Sequence, residues 1–285
     1  MQNVAFFTPP LSGEGWGGAI SMEKLTVIKV GGKIVEEEAT LHKLLDDFAA
    51  IEGHKVLVHG GGRSATALAT RLGIESRMVN GRRITDADML QVVTMVYGGL
   101  VNKNIVAGLQ ARGVNALGLT GADMNVIRSA KRPVKDGVDY GFVGDVKQVD
   151  GERLGGLIAG GIVPVMAPLT HDGEGHILNT NADTIAGETA KGLASRFDVT
   201  LVFCFEKKGV LRDADDDESV IPALTPREFR QYVADGIIQG GMIPKLENAF
   251  EALKAGVRRV VITSAADIAT GGGTRITWPE EPESK

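Results

Sequence analysis

The sequence predicts an α/β fold built on a parallel sheet, and three observations predict it. Apolar runs of strand length recur along the chain with helical patterns between them. Two of these runs end directly in glycines: Leu25-Thr26-Val27-Ile28-Lys29-Val30 before Gly31-Gly32, and Val56-Leu57-Val58-His59 before Gly60-Gly61-Gly62. A helical pattern then follows each glycine turn, which is the strand, turn, helix order of a parallel βαβ unit.

Each element has its own signal. After Gly31-Gly32, Leu41, Leu44, Leu45 and Phe48 fall on one helical face. After Gly60-Gly61-Gly62, Ala65, Leu68, Ala69 and Leu72 do the same, and Gly73 is placed to end that helix. Thr85 can cap the next helix, with Asp88 three residues on. Its apolar face is Met89, Val92, Val93 and Val96, and the pattern continues past a bend at Gly98-Gly99 to Gly113. Val114 to Leu119 is a strand. Between Gly121 and Gly151 short runs, Asn125 to Ser129 and Phe142 to Val146, read as a hairpin. A helix around Arg153 to Ala159 and a strand at Ile162 to Ala167 restore the alternation, and Asn181 is placed to cap a helix carrying Ile185, Ala186, Ala190 and Leu193. Val199 to Phe205 is a strand. Thr225-Pro226-Arg227-Glu228 combines a cap, proline at the first helical position and glutamate at the third. A last helix carries Leu246, Ala249, Phe250 and Leu253, and Arg258 to Thr263 is a late strand.

The 285 residues suffice for one large α/β domain or two lobes. A soft boundary near Leu169 separates lobes at 22–169 and 170–278, with a disordered leader at 1–21 and a tail at 279–285. Met22 is a plausible start. The leader lacks a charged region and a long apolar stretch, so it is not a secretory signal. The net charge of −5, with no run of Lys and Arg, argues against a nucleic-acid surface. No apolar segment reaches bilayer-spanning length, so no membrane partner is expected. Cys204 is the single cysteine, a small buried hydrophobe in a strand, and the compartment expected is the reducing cytoplasm. Asp213 to Glu218 is an acidic, solvated turn. His59 reads as a turn residue, and His171 and His176 as loop residues.

Three glycines in a row leave no Cβ to keep a bound group from the backbone, and they lie where the unpaired N–H groups of the next helix point outward. Two such turns at the ends of parallel strands belong in the crevice at the carboxyl edge of the sheet. That is a cradle for phosphate. Neither a Gly-x-x-x-x-Gly-Lys-Ser/Thr loop nor a Gly-x-Gly-x-x-Gly turn opens the first strand–helix unit, so a different phosphate-binding architecture is required. Lys29 and Lys245, each at the edge of a Gly-rich turn, are the candidate cations.

The segments Ile28-Lys29-Val30-Gly31-Gly32, Val58-His59-Gly60-Gly61-Gly62, Asn80-Gly81-Arg82-Arg83-Ile84-Thr85, Asn179-Thr180-Asn181-Ala182-Asp183 and Gly241-Met242-Ile243-Pro244-Lys245 occur in that order. In combination they resemble the amino acid kinase family, from about Leu25 to Thr277. The resemblance implies a three-layer αβα sandwich around an open, mainly parallel eight-stranded sheet, with the acyl-amino acid on the N-terminal lobe and ATP on the C-terminal lobe. It implies transfer of the γ-phosphoryl group of ATP to the γ-carboxylate of N-acetyl-L-glutamate, a step of arginine biosynthesis. Two alternatives stay open: N-succinyl-L-glutamate as the acceptor, and a non-catalytic nucleotide-sensing member of the fold.

By the same resemblance, Lys29 and Lys245 hold the phosphoryl oxygens from two sides and Asp183 orients both lysines. Gly61, Gly62, Arg83, Asn179 and Asn181 bind the acyl-amino acid. Gly31, Gly32, Lys207, Lys208, Gly209, Leu211 and Gln239 bind the nucleotide. Mg²⁺ arrives with ATP, and no protein metal ligands are expected. The expected assembly is a homodimer, insensitive to arginine because no amphipathic helix precedes Leu25. The chain departs from the family at Phe205-Glu206-Lys207-Lys208-Gly209-Val210-Leu211, where an aspartate after a small polar residue is usual. The spacing is kept but the chemistry of the nucleotide loop shifts, and the added lysines suit a polyphosphate.

Overall fold

The computed structural model describes residues 22–79, 81–268 and 271–278. The expectations for the leader at 1–21, the tail at 279–285 and Asn80 fall outside the described residues.

The chain opens with β1 (Lys24–Val30), a short α1 (Gly32–Glu36), α2 (Glu38–Ala50), β2 (His54–His59) and α3 (Gly62–Arg71). A small hairpin, β3 (Met78–Val79) and β4 (Arg82–Arg83), precedes α4 (Ala87–Val93), which runs through π-helical turns at Thr94–Val101 into α5 (Asn102–Gln110). Then come β5 (Ala116–Leu119), β6 (Ile127–Lys131), β7 (Gly144–Val149), α6 (Gly151–Ala159), β8 (Val163–Met166), β9 (Leu169–His171) and β10 (Ile177–Asn179). The second half is α7 (Ala182–Leu193), β11 (Asp198–Phe205), β12 (Ala223–Leu224), α8 (Pro226–Ala234), α9 (Met242–Lys254), β13 (Arg259–Ser264) and β14 (Thr274–Ile276).

Eight strands form one sheet in the order β12-β14-β13-β11-β1-β2-β8-β5, with every pairing parallel except β13 with β14. A four-stranded sheet, β10-β9-β6-β7, contains the hairpin predicted from the short runs. Strand alternation divides the core between two faces. Leu25, Val27, Val56, Val58, Leu201 and Phe203 pack with residues of α6, α7 and α9. Ile28, Val30, Leu57, Val202 and Cys204 pack with residues of α2, α3 and the α4–α5 helix. Those are the three layers. β1 lies between β11 and β2, and the chain leaves it toward β2, so the carboxyl ends of β1 and β11 flank a switch point of the kind that opens a ligand crevice.

Five expectations are corrected. His171 is not a loop residue; it ends β9, paired with Ile177 and Arg128. The cap of α4 is Asp86, which accepts from Met89 N, because Thr85 is tied by its backbone to Tyr140 and Phe142. The bend expected at Gly98-Gly99 is the π-helical stretch. His59 is not a turn residue; it ends β2 and is fully buried. The helix Ala87–Gln110, at 24 residues, is long and apolar enough by length and composition to cross a bilayer, although none was expected. Its Met89, Val92, Val93, Val96, Ile105 and Leu109 are buried in the core, which accounts for the hydropathy.

Candidate active site

Lys29 is the next-to-last residue of β1 and, deep in the middle of the sheet, is 7% exposed. A lysine there needs a partner, since an isolated buried ammonium is strongly disfavoured. The partner comes from α7. Asn181 caps that helix by accepting from Asp183 N (2.8 Å) and Thr184 N (3.3 Å), which fixes Asp183 in the first turn. Asp183 Oδ1 lies 2.8 Å from Lys29 Nζ, and its other oxygen lies 3.3 Å from Lys245 Nζ. Lys245 reaches in from the first turns of α9. Burial alone would push the Asp183 carboxyl up, but the two ammonium charges outweigh it and hold the group below the usual carboxylate range. Burial draws Lys245 below the usual lysine range; Asp183 opposes that shift and Lys29 adds to it.

The two glycine turns touch each other beside this cluster. Gly60 N donates to Val30 O at 3.2 Å. A Cβ on Gly60 would lie 3.1 Å from Gly32 N, and one on Gly61 would lie 2.9 Å from a Tyr97 ring carbon, so a side chain at either position would force its neighbour to shift. Glu36 at the end of α1 accepts from Ser64 N at 2.8 Å and ties the two turns together. Behind the second turn His59 Nδ1 donates to Gly60 O at 2.7 Å, while Nε2 accepts from Asn102 Nδ2 at 3.1 Å.

Two adjoining cavities meet at this point. One, of about 210 Å³, is lined by Gly60–Gly62, Met78, Gly81, Arg82, Arg83, Tyr97, Val143, Pro168 and Asn179–Ala182. The other, of about 680 Å³, is lined by Lys29, Gly31, Gly32, Lys33, Gly62, Arg83, Phe205, Glu206 and Lys245 among others. Arg83 belongs to both. Its guanidinium donates to Gly62 O at 2.9 Å, to Thr66 Oγ1 at 3.0 Å and to Ser76 Oγ. Asn179 donates to Thr85 Oγ1 at 3.0 Å, which orients its amide along the smaller cavity.

The sequence-predicted residues therefore gather in part. Lys29, Lys245, Gly31, Gly32, Gly61, Gly62, Arg83, Asn179 and Asn181 line the paired cavities, and Asp183 joins them through its contacts with both lysines. Lys207, Gly209, Leu211 and Gln239 line a separate cavity of about 570 Å³ with Gly236 and Met242. Lys208 lines none of these three cavities. Lys207 pairs with Asp217 at 2.8 Å and Lys208 with Glu218, so the acidic turn occupies both lysines. Tyr97, Met78, Thr180 and Phe205 were not anticipated. Tyr97 could have been found only as an aromatic on an otherwise aliphatic helix face, and nothing local marks Met78 or Thr180.

The fold and this site define a class. The chain matches the amino acid kinase family over residues 24–264 and belongs to it. Among its relatives, the acetylglutamate kinase of Bacteroides fragilis is 78% identical over 254 residues, covering 89% of this chain and 97% of the relative. The acetylglutamate kinase of Bacteroides thetaiotaomicron is 79% identical, covering 89% and 98%. In three dimensions the chain is similar to the crystal structure of smu.665 from Streptococcus mutans, with a TM-score of 0.73, 29% identity, and coverage of 89% of this chain and 98% of that one.

Proposed function

We propose that the chain is an acetylglutamate kinase, transferring the γ-phosphoryl group of ATP to the γ-carboxylate of N-acetyl-L-glutamate in arginine biosynthesis. The observation that carries the mechanism is Asp183, one carboxylate holding two ammonium groups that line the larger cavity, which adjoins the smaller one at Gly62, Met78 and Arg83. In this reading the acyl-glutamate lies in the smaller cavity with its α-carboxylate toward Arg83, whose planar fork suits a carboxylate, and its amide toward Asn179. Asn181 sets the start of α7 beside it. ATP enters the larger cavity, with its phosphates over Gly31 and Gly32 and its nucleoside toward Gly209, Leu211 and Gln239.

The acceptor carboxylate is already ionised at neutral pH, so no general base is needed. Its oxygen attacks the γ-phosphorus, and the bridging oxygen leaves on ADP. Charge spreads over the phosphoryl oxygens as this happens, and fixed cations with N–H donors stabilise it. Lys29 and Lys245 supply the cations, and the backbone N–H groups of Gly31, Gly32, Gly61 and Gly62 the donors. Asp183 already has an ammonium on each oxygen, so Mg²⁺ in this reading is carried by the nucleotide phosphates and neutralises part of their charge.

A second reading has one observation in its favour. A groove of about 410 Å³, lined by Arg82, Arg132, Lys135, Tyr140 and the carboxylates Asp136 and Asp145, shares Arg82 with the acyl cavity. Burial, and after it the Arg132 charge, lowers the pKa of Arg82. Asp145 already pairs with Arg132 and opposes that shift, so an acyl group ending in a carboxylate, as in N-succinyl-L-glutamate, would be read by Arg82 and Lys135 in this groove. A coupled ATPase assay with N-acetyl- and N-succinyl-L-glutamate side by side tests both readings. ADP release with neither substrate would overturn the kinase assignment.

We infer the lobes at 22–169 and 170–278 as the acyl and nucleotide halves, although Asn179–Ala182 reach across to line the acyl cavity. We infer the cytoplasm as the compartment from the buried Cys204, whose thiol burial pushes up to about 12. We infer a homodimer from exposed Met95 and Leu100 on the long helix and Leu117 on edge strand β5, a solvent-facing apolar set that a partner copy would cover. Sedimentation equilibrium checks it.

A further inference from the structure

Both site lysines face one aromatic ring. Lys245 Nζ lies 3.7 Å from the centroid of Phe205 and Lys29 Nζ lies 5.2 Å from it. The placement follows from strand register. Lys29 pairs with Phe203 across β1 and β11, and Phe205, two residues on, projects from the same face of the sheet. The rings of Phe203 and Phe205 are parallel within 5° at 6.2 Å, and Phe203 is fully buried. The outer ring is therefore backed by a fixed one, and it lines the larger cavity between Lys29, Glu206 and Lys245.

The charge count explains why a ring is useful there. Asp183 brings one negative charge to two ammonium groups, so the cluster keeps a surplus positive charge while partly out of water. Two ammonium ions held together this way repel each other, and the low-dielectric surroundings strengthen that repulsion. A second carboxylate would relieve it but would also repel the incoming phosphate. The face of a benzene ring attracts cations through its quadrupole and carries no net charge to oppose an anion.

We propose that Phe205 is a positioning residue for phosphoryl transfer, its ring face holding the Lys245 and Lys29 ammonium groups over the nucleotide cavity until phosphoryl oxygens replace it. The inference rests on the assignment of both lysines to the reacting phosphoryl group. Phe205 has no donor, no acceptor and no proton to give, so it acts on the reaction only through the lysines.

The test is steady-state kinetics on the full chain with Phe205→Leu, Phe205→Tyr and, at the same position, phenylalanines carrying one, two or three ring fluorines, which weaken the quadrupole at nearly constant shape. Phe205→Leu is expected to lower kcat about 3- to 30-fold with little change in KM for the acyl-glutamate. Phe205→Tyr should restore kcat, and log kcat should fall with each added fluorine at an unchanged urea midpoint. The proposal is overturned if Phe205→Leu keeps parental kcat, if Leu and Tyr are equally impaired, or if the fluorinated series is flat. Should the leucine variant not fold, the fluorinated series decides alone. An inactive parent would remove the kinase assignment itself, whereas an active parent with an insensitive series removes only the role of Phe205.

Discussion

The Lys29 ammonium lies 2.8 Å from the Asp183 carboxylate, and that contact ties the centre of the sheet to the first turn of α7. The helix N-terminus favours the anion there as well. Because the lysines hold the Asp183 carboxyl below its ordinary range, this contribution to stability is complete at neutral pH. It is lost only as pH falls below the unfolded value near 3.8 and through the lower folded one.

Removing either lysine should cost turnover more than it costs the fold. Lys29→Ala and Lys245→Ala are each expected to lower kcat by about 10²-fold or more, the size of effect seen when one transition-state donor is lost. Lys245, with its side chain 27% exposed, should leave the urea midpoint closer to parental than Lys29 does. Circular dichroism with steady-state assays checks both, and near-parental turnover in either variant contradicts its assignment.

Asp183→Asn keeps the volume and removes the charge both ammonium groups share. Breaking a buried ion pair from one side costs about 3–5 kcal/mol, because the charge left behind is uncompensated. Denaturant unfolding should show a loss of that order, and the double variant with Lys29→Met should lose less than the two single losses combined. Strict additivity would mean that the two groups do not support each other.

Much of this architecture is legible in local pattern. The glycine turns, the Asn181 cap and the capping box at Thr225 are fixed within a few residues, and each is found where the spacing places it. What is not legible depends on partners far along the chain. Thr85 has the chemistry of a cap, but the Tyr140 and Phe142 backbones claim it from the other side of the fold. Lys207 and Lys208 resemble phosphate ligands until the loop folds back and presents Asp217 and Glu218. Two-residue strands such as β3, β4 and β12 bury too little to leave a periodic signal. Phe205 stands out from the family pattern, but its contact with two lysines exists only once β1, β11 and α9 are assembled.

Gly61→Ala tests the steric basis of the cradle. The added Cβ would lie 2.9 Å from the Tyr97 ring and 3.4 Å from Val101, at a φ of +156. Overpacking of this kind typically costs about 1–3 kcal/mol. The N–H of Gly62 would move with it, so KM for the acyl-glutamate should rise. Tyr97→Leu introduced beside Gly61→Ala should recover part of the stability; no recovery would place the strain in the backbone rather than in the ring contact.

His59 should make the protein acid-sensitive. Its Nδ1–H donates to Gly60 O, so Nε2 must stay unprotonated to accept from Asn102 Nδ2, which also donates to Val165 O at 2.9 Å. Burial brings the imidazole down to about 4; the Gly60 bond opposes that and the nearby Lys103 charge adds to it. The unfolded chain, with a histidine near 6.5, therefore takes up a proton over a pH range where the folded chain does not. The stability from neutral His59 is complete above about pH 6.5 and declines as pH falls toward about 4, by about 3 kcal/mol in all. His59→Gln should be less stable than the parent at neutral pH but lose less between there and about pH 5, because glutamine does not titrate. Urea unfolding of both proteins at the two pH values measures the difference in slope. Equal slopes would assign the acid sensitivity to another group.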